Sequence, residues 1–97
     1  MLRTNEDASQ PFLFRITPGN IKTMGRAPRA DFVVDAALVS RLHCRLAAGA
    51  GEIEAVDLES TNGTYVNGQR VERAMLKEGD KLRVGAVELV VLRSAGA

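Results

Sequence analysis

The chain has 97 residues, 45% of them apolar and 26% charged, with a formal net charge of +1. That is room for one domain with one core, and so even a balance excludes a bulk electrostatic pull toward nucleic acid or anionic lipid. The lone cysteine, Cys44, excludes an intrachain disulfide, which suits a reducing compartment.

Residues 1–10 are mostly polar and aperiodic, and are expected to form a flexible N-terminal arm. Residues 11–93 read as one domain of short strands, and 94–97 as a C-terminal tail. Phe12 to Thr17 is predicted as a strand, turned by Pro18-Gly19-Asn20 into a second, Ile21 to Met24, as a hairpin. Phe32-Val33-Val34 is short and partly β-branched. Leu42 to Ala48 and Glu52 to Leu58 form two more strands around a Gly- and Ala-rich turn. Thr64 to Val66 and Gln69 to Val71 flank Asn67-Gly68, a strong signal for a type I′ hairpin. Lys81 to Val84 and Val87 to Leu92 close the chain. The first and last apolar strands are expected to pair. No stretch of ten or more residues holds a convincing helical period, so the fold class is all-β, an antiparallel sandwich or barrel.

Three segments between strands carry the unusual chemistry: Gly25-Arg26, Ser40-Arg41-Leu42-His43 and Ser60-Thr61-Asn62-Gly63-Thr64. Arg26 offers a planar fork to a phosphate or carboxylate. Ser40 and Thr61 bring hydroxyls, and Asn62 brings two donors and an acceptor. Gly25 and Gly63 permit tight backbone with exposed N–H groups. Together they suit a small anion carried on a peptide, held by loops at one end of a rigid sandwich.

These segments, with Leu76-Lys77-Glu78-Gly79-Asp80-Lys81-Leu82-Arg83-Val84-Gly85 behind them, resemble the forkhead-associated (FHA) domain family from about Phe12 to Leu92. The resemblance implies a β-sandwich of about eleven strands that binds phosphothreonine peptides through loops at one end. It implies that Arg26, Ser40, Thr61 and, less uniformly across the family, Arg41 meet the phosphate. Asn62 would hydrogen-bond the peptide backbone, while Gly25, His43 and Gly63 support the site. Specificity would lie at the third residue after the phosphate. There Leu38 stands where some relatives carry an arginine that selects aspartate, so an apolar or weakly selective position is expected. The implied partner is a phosphothreonine-containing protein in Ser/Thr kinase signalling. The segment Thr4-Asn5-Glu6-Asp7 adds a second expectation, the chain's own phosphorylated arm, beside the plainer reading of a tail.

Catalysis is not expected. Ser40 and His43 stand at i and i+3 across a loop–strand junction, where side chains diverge, and no aspartate takes an orienting place. One His and one Cys do not make a metal site, and no Gly-Lys-Ser/Thr sequence marks a nucleotide P-loop, so no cofactor is expected. Few aromatics and the near-neutral charge disfavour a nucleic-acid partner. No apolar run approaches the roughly 18 residues of a membrane span, and no signal-peptide core opens the chain. A cytoplasmic protein without a membrane partner is expected. The alternative reading is a phospho-independent scaffold or oligomerisation module of the same fold.

Overall fold

A computed structural model describes residues 2–4 and 12–92. Among these, eleven strands form two sheets. They are β1 (Leu2–Thr4), β2 (Leu13–Phe14), β3 (Ile21–Gly25), β4 (Phe32–Val33), β5 (Cys44–Ala48), β6 (Ile53–Asp57), β7 (Thr64–Val66), β8 (Gln69–Val71), β9 (Arg73–Leu76), β10 (Lys81–Val84) and β11 (Val87–Val91). The six-stranded sheet runs β2-β1-β11-β10-β7-β8 and the five-stranded sheet β4-β3-β5-β6-β9. All pairings are antiparallel except β3 with β4, which is parallel.

Alternation builds the core. In β5, Cys44 and Leu46 point inward while Arg45 points to solvent, and in β10 Leu82 and Val84 alternate with Lys81 and Arg83. The two inner faces meet through Leu2, Leu82, Val84, Leu89 and Val91 on one side and Met24, Phe32, Leu46, Ile53, Ala55 and Leu76 on the other. Each buried Val, Leu, Ile, Met or Phe side chain among them contributes about 1.5–3 kcal/mol. Cys44 is fully buried, and burial, with Asp57 nearby, pushes its thiol up to about 12.

The Asn67-Gly68 hairpin forms as the sequence predicts, with φ of 50° and 84° at its two central residues. Three other expectations are corrected. Leu2–Thr4 is not a free arm: it is β1, hydrogen-bonded between β2 and β11, and Leu2 is fully buried. Thr4 therefore lies opposite Leu89 in a sheet, while Asn5, Glu6 and Asp7 fall outside the described residues. The first apolar segment does not pair with the last, because β1 stands between them. Nor does it form a hairpin with Ile21–Gly25. Its strand is only Leu13–Phe14, in the other sheet; Phe14 stacks on Phe32 at 4.8 Å. The Pro18-Gly19-Asn20 turn instead bonds to Ala48, from Gly19 N to its carbonyl and from its N–H to Asn20, which leads β3 alongside β5. The strand β9, with outward Arg73 and Met75, gave no clear alternation in the sequence.

Candidate functional site

At one end of the sandwich, the end of β3, the β4–β5 loop, the β6–β7 loop and the β10–β11 turn converge. The convergence starts with backbone. Arg26 N donates to the Ser40 carbonyl at 2.9 Å and Ala27 N to the Arg41 carbonyl at 3.0 Å, so β3 continues along the β4–β5 loop. Gly25 makes this approach possible: a Cβ there would sit 2.2 Å from the Arg41 carbonyl oxygen. The close approach requires glycine, apart from any preference of φ.

His43 locks the loops from behind. It is fully buried. Its N–H donates to Met24 and its carbonyl accepts from Leu58 N, at 2.8 and 2.9 Å. Nδ1 accepts from Ser40 N at 3.1 Å, and Nε2 donates to the buried Gly63 carbonyl at 2.8 Å. Every polar group of the residue is thus satisfied, and the ring proton is fixed on Nε2. Nδ1 meets the Ser40 amide and Nε2 a backbone carbonyl, and neither nitrogen is hydrogen-bonded to the Ser40 hydroxyl, so the two residues do not form a nucleophile–base pair.

The β6–β7 loop is held by Asp57. Its carboxylate accepts from Ser60 N at 3.1 Å, Ser60 Oγ at 2.5 Å and Thr64 Oγ1 at 2.7 Å, and Ser60 Oγ in turn accepts from Gly63 N at 3.0 Å. Partial burial works to raise the Asp57 carboxyl. The Ser60 and Thr64 hydroxyls and the Ser60 amide outweigh it and hold the group below its ordinary value.

In front of these braces lies an open cavity of about 790 Å³. Arg26, Leu38, Ser40, Arg41, Thr61 and Asn62, drawn from three stretches of sequence, all line it. Arg26 is exposed and its Nε donates to the Val39 carbonyl at 3.1 Å, which aims the side chain and leaves the two terminal amino groups open. Ser40 Oγ accepts from Thr61 N at 3.0 Å and keeps its own proton to donate. Asn62 Nδ2 donates to the Leu38 carbonyl at 3.0 Å, clasping the two loops, with Oδ1 left over. Gly25, His43 and Gly63 sit buried behind this wall.

Glu59 escaped the sequence reading, as did the backbone of Leu38, a residue that the reading did place at the site. Both line the cavity and hold left-handed backbone, with φ of 70° at Leu38 and 55° at Glu59, which costs roughly 1–3 kcal/mol each in non-glycine residues. Gly85 lets the β10–β11 turn press on Leu38, since a Cβ there would lie 2.8 Å from the Leu38 carbonyl. Nothing in the sequence pattern marks Glu59, and Gly85, which closes the Leu76–Gly85 motif, shows no sign there of its contact with Leu38, whereas Ser60, three residues after Asp57, carries a recognisable turn signature. Among the described residues no group of three or more His, Cys, Asp or Glu is placed to hold a metal ion, and no helix is long and apolar enough to cross a membrane.

A two-sheet sandwich with a donor-lined cavity between loops at one end defines a binding module. The family model for the FHA domain matches residues 22–85, and the chain belongs to the FHA domain family. It is 40% identical over 75 residues to the oxoglutarate dehydrogenase inhibitor of Corynebacterium efficiens, covering 77% of this chain and 53% of that protein. The chain spans about half the length of the curated relatives it matches. Its fold matches the FHA domain of the CT664 protein from Chlamydia trachomatis with a TM-score of 0.88 at 24% identity, over 97% of this chain and 96% of the other. A structure described as a study of phosphothreonine-dependent FHA domain interactions matches with a TM-score of 0.80 at 30% identity, over 96% and 94% of the two chains. FHA domains bind phosphothreonine peptides; the family is a phosphopeptide-binding module and not a catalytic one.

Proposed function

We propose that the protein recruits a phosphothreonine-bearing partner in Ser/Thr kinase signalling through the cavity between its loops, without catalysis and in the cytoplasm. The observation that carries this reading is the unused donor capacity at the cavity: the terminal amino groups of Arg26, the Ser40 hydroxyl and the Thr61 hydroxyl face one space. Arg41, exposed on the same wall, adds a second guanidinium. A phosphothreonine brings about −1.5 to −2 charges and three acceptor oxygens. Each charge-assisted hydrogen bond to it contributes about 1.5–3 kcal/mol.

Asn62 Oδ1 takes a backbone N–H of the peptide, and Leu38, exposed at 59%, offers an apolar contact to a residue beyond the phosphate. Gly25, His43 and Gly63 hold the loops in register. The threonine methyl adds only about 0.8 kcal/mol when buried, so discrimination against phosphoserine rests on fit while the phosphate supplies affinity.

Calorimetric titration with a phosphothreonine peptide and its unphosphorylated twin tests the reading. Binding should require the phosphate, and Arg26→Ala should weaken it by about 2–5 kcal/mol. Equal affinity for both peptides would leave the phospho-independent scaffold as the better account.

A further inference from the structure

The charges around the cavity do not all face the phosphate. Two guanidiniums, Arg26 and Arg41, and two carboxylates, Asp35 and Glu59, line it together. A bound phosphothreonine, at nearly two negative charges, balances the arginines and leaves the carboxylates without a counter-charge. Among the described residues neither Asp35 nor Glu59 forms an ion pair or a side-chain hydrogen bond. Both are exposed.

Glu59 has the more telling position. It stands on the ridge between this cavity and a second one of about 890 Å³, and lines both. A partner segment leaving the phosphate pocket over that ridge meets the Glu59 carboxylate. The second cavity is itself mixed in charge, with Arg70 and Arg73 against Glu59 and Glu72, and Asp57 there is engaged by Ser60 and Thr64. It therefore offers no net cationic surface to an acidic segment. The backbone at Glu59, with φ of 55°, is one where glycine would be easier, yet a carboxylate stands there.

We propose that Glu59, seconded by Asp35, selects partners that carry a lysine or arginine within a few residues of the phosphothreonine. The proposal rests on the phosphothreonine reading of the site and adds the chemistry of the flanks. It also implies that the reaction supplying the ligand is threonine phosphorylation by a kinase that accepts basic flanking residues.

The test is fluorescence anisotropy with phosphothreonine peptides identical except for Lys, Ala or Glu at the positions two to four residues on either side. Exposed ion pairs shift equilibria by up to about fivefold each. The Lys-flanked peptide should therefore bind about five- to tenfold tighter than the Glu-flanked one at low salt, and the gap should shrink as salt screens it. Glu59→Gln should reduce the gap about two- to fivefold, and Glu59→Lys should invert it. Glu59→Gly keeps the backbone comfortable, so a matching loss in that variant assigns the effect to the charge and not to loop geometry. Thermal melts check that all three variants fold. Equal or tighter binding of the Glu-flanked peptide, or a gap unchanged in Glu59→Gln, overturns the proposal while leaving phosphate recognition intact. If phosphorylation improves the binding of no peptide in the panel, both fall together.

Discussion

The two ends of the sandwich use the same device and leave it in different states. At the loop end, Asp57 accepts from the amide and hydroxyl of Ser60, and Asn62 clasps the Leu38 carbonyl. At the other end, Asp80 accepts from Lys77 N at 2.8 Å and from Asn67 Nδ2 at 3.1 Å, while Asn67 Oδ1 accepts from Lys81 N at 2.9 Å. Each end thus has an aspartate gripping an amide three residues away and an asparagine bridging two segments. At the Asn67 end both faces of the amide are consumed within the protein. At the Asn62 end one face is left over, beside an arginine and two hydroxyls in the same condition. A structural turn closes its hydrogen bonds internally; a binding loop is one that keeps some open.

The contrast can be broken most heavily at His43. His43→Ala leaves Ser40 N and the buried Gly63 carbonyl without partners, and should cost about 2–4 kcal/mol of folding stability. Urea denaturation measures it, and phosphopeptide affinity should fall at temperatures where the variant is still folded, because the loops lose their common brace. Unchanged stability would remove His43 from its structural place.

A matched pair sharpens it at smaller cost. Asn62→Ala should weaken phosphopeptide binding by about 1 kcal/mol with little change in stability. Asn67→Ala should do the reverse, lowering stability by about 1–2 kcal/mol through two lost bonds and a left-handed φ, with binding untouched. Titration and melting of both variants decide it; a swapped or shared pattern would mean the two ends are not divided as described.

Acid gives the finest separation. The Asp57 and Asp80 carboxyls are both held below their ordinary value of 3.8. For Asp57 burial pulls upward and the Ser60 and Thr64 hydroxyls prevail; for Asp80 the Lys77 amide leads, with the Asn67 side chain behind it. A carboxyl lowered by folding stabilises fully above its unfolded value, and that contribution fades as pH falls through the folded value. Stability should therefore hold from neutral pH to about 5 and decline below about 4. Asp57→Asn and Asp80→Asn should each be less stable at neutral pH and less sensitive to acid, but only the first should also weaken phosphopeptide binding. Denaturation series at pH 7, 5 and 3 would show it, and an acid response identical to that of the unaltered chain in both variants would refute the assignment.

Much of the loop end was legible before the fold was known. Arg26, Ser40, Thr61 and Asn62 are polar residues at strand ends with little structural excuse, and all of them line the cavity. The type I′ hairpin was legible because positive φ at two successive residues restricts the chemistry to Asn-Gly and its kin. The strand at Leu2–Thr4 was not, because three residues in a polar context carry no measurable period, and their order comes from β2 and β11 on either side. Glu59, and the contact that Gly85 makes, were missed for a related reason. Their roles depend on which segments the fold brings beside them, Leu38 above all, and not on their own neighbours in sequence.

That placement of β1 sets a timetable for the molecule. Leu2 pairs with Val91, so nearly the whole chain lies between the partners of one ladder. The six-stranded sheet cannot be completed until β11 has left the ribosome, because β11 stands between β1 and β10. Contacts this distant in sequence close slowly. Arg26, Ser40, Thr61 and Asn62 are all synthesised earlier, but the turn that presses on Leu38 belongs to the last hairpin. A nascent chain therefore carries all four of these cavity residues before the turn that supports Leu38 exists.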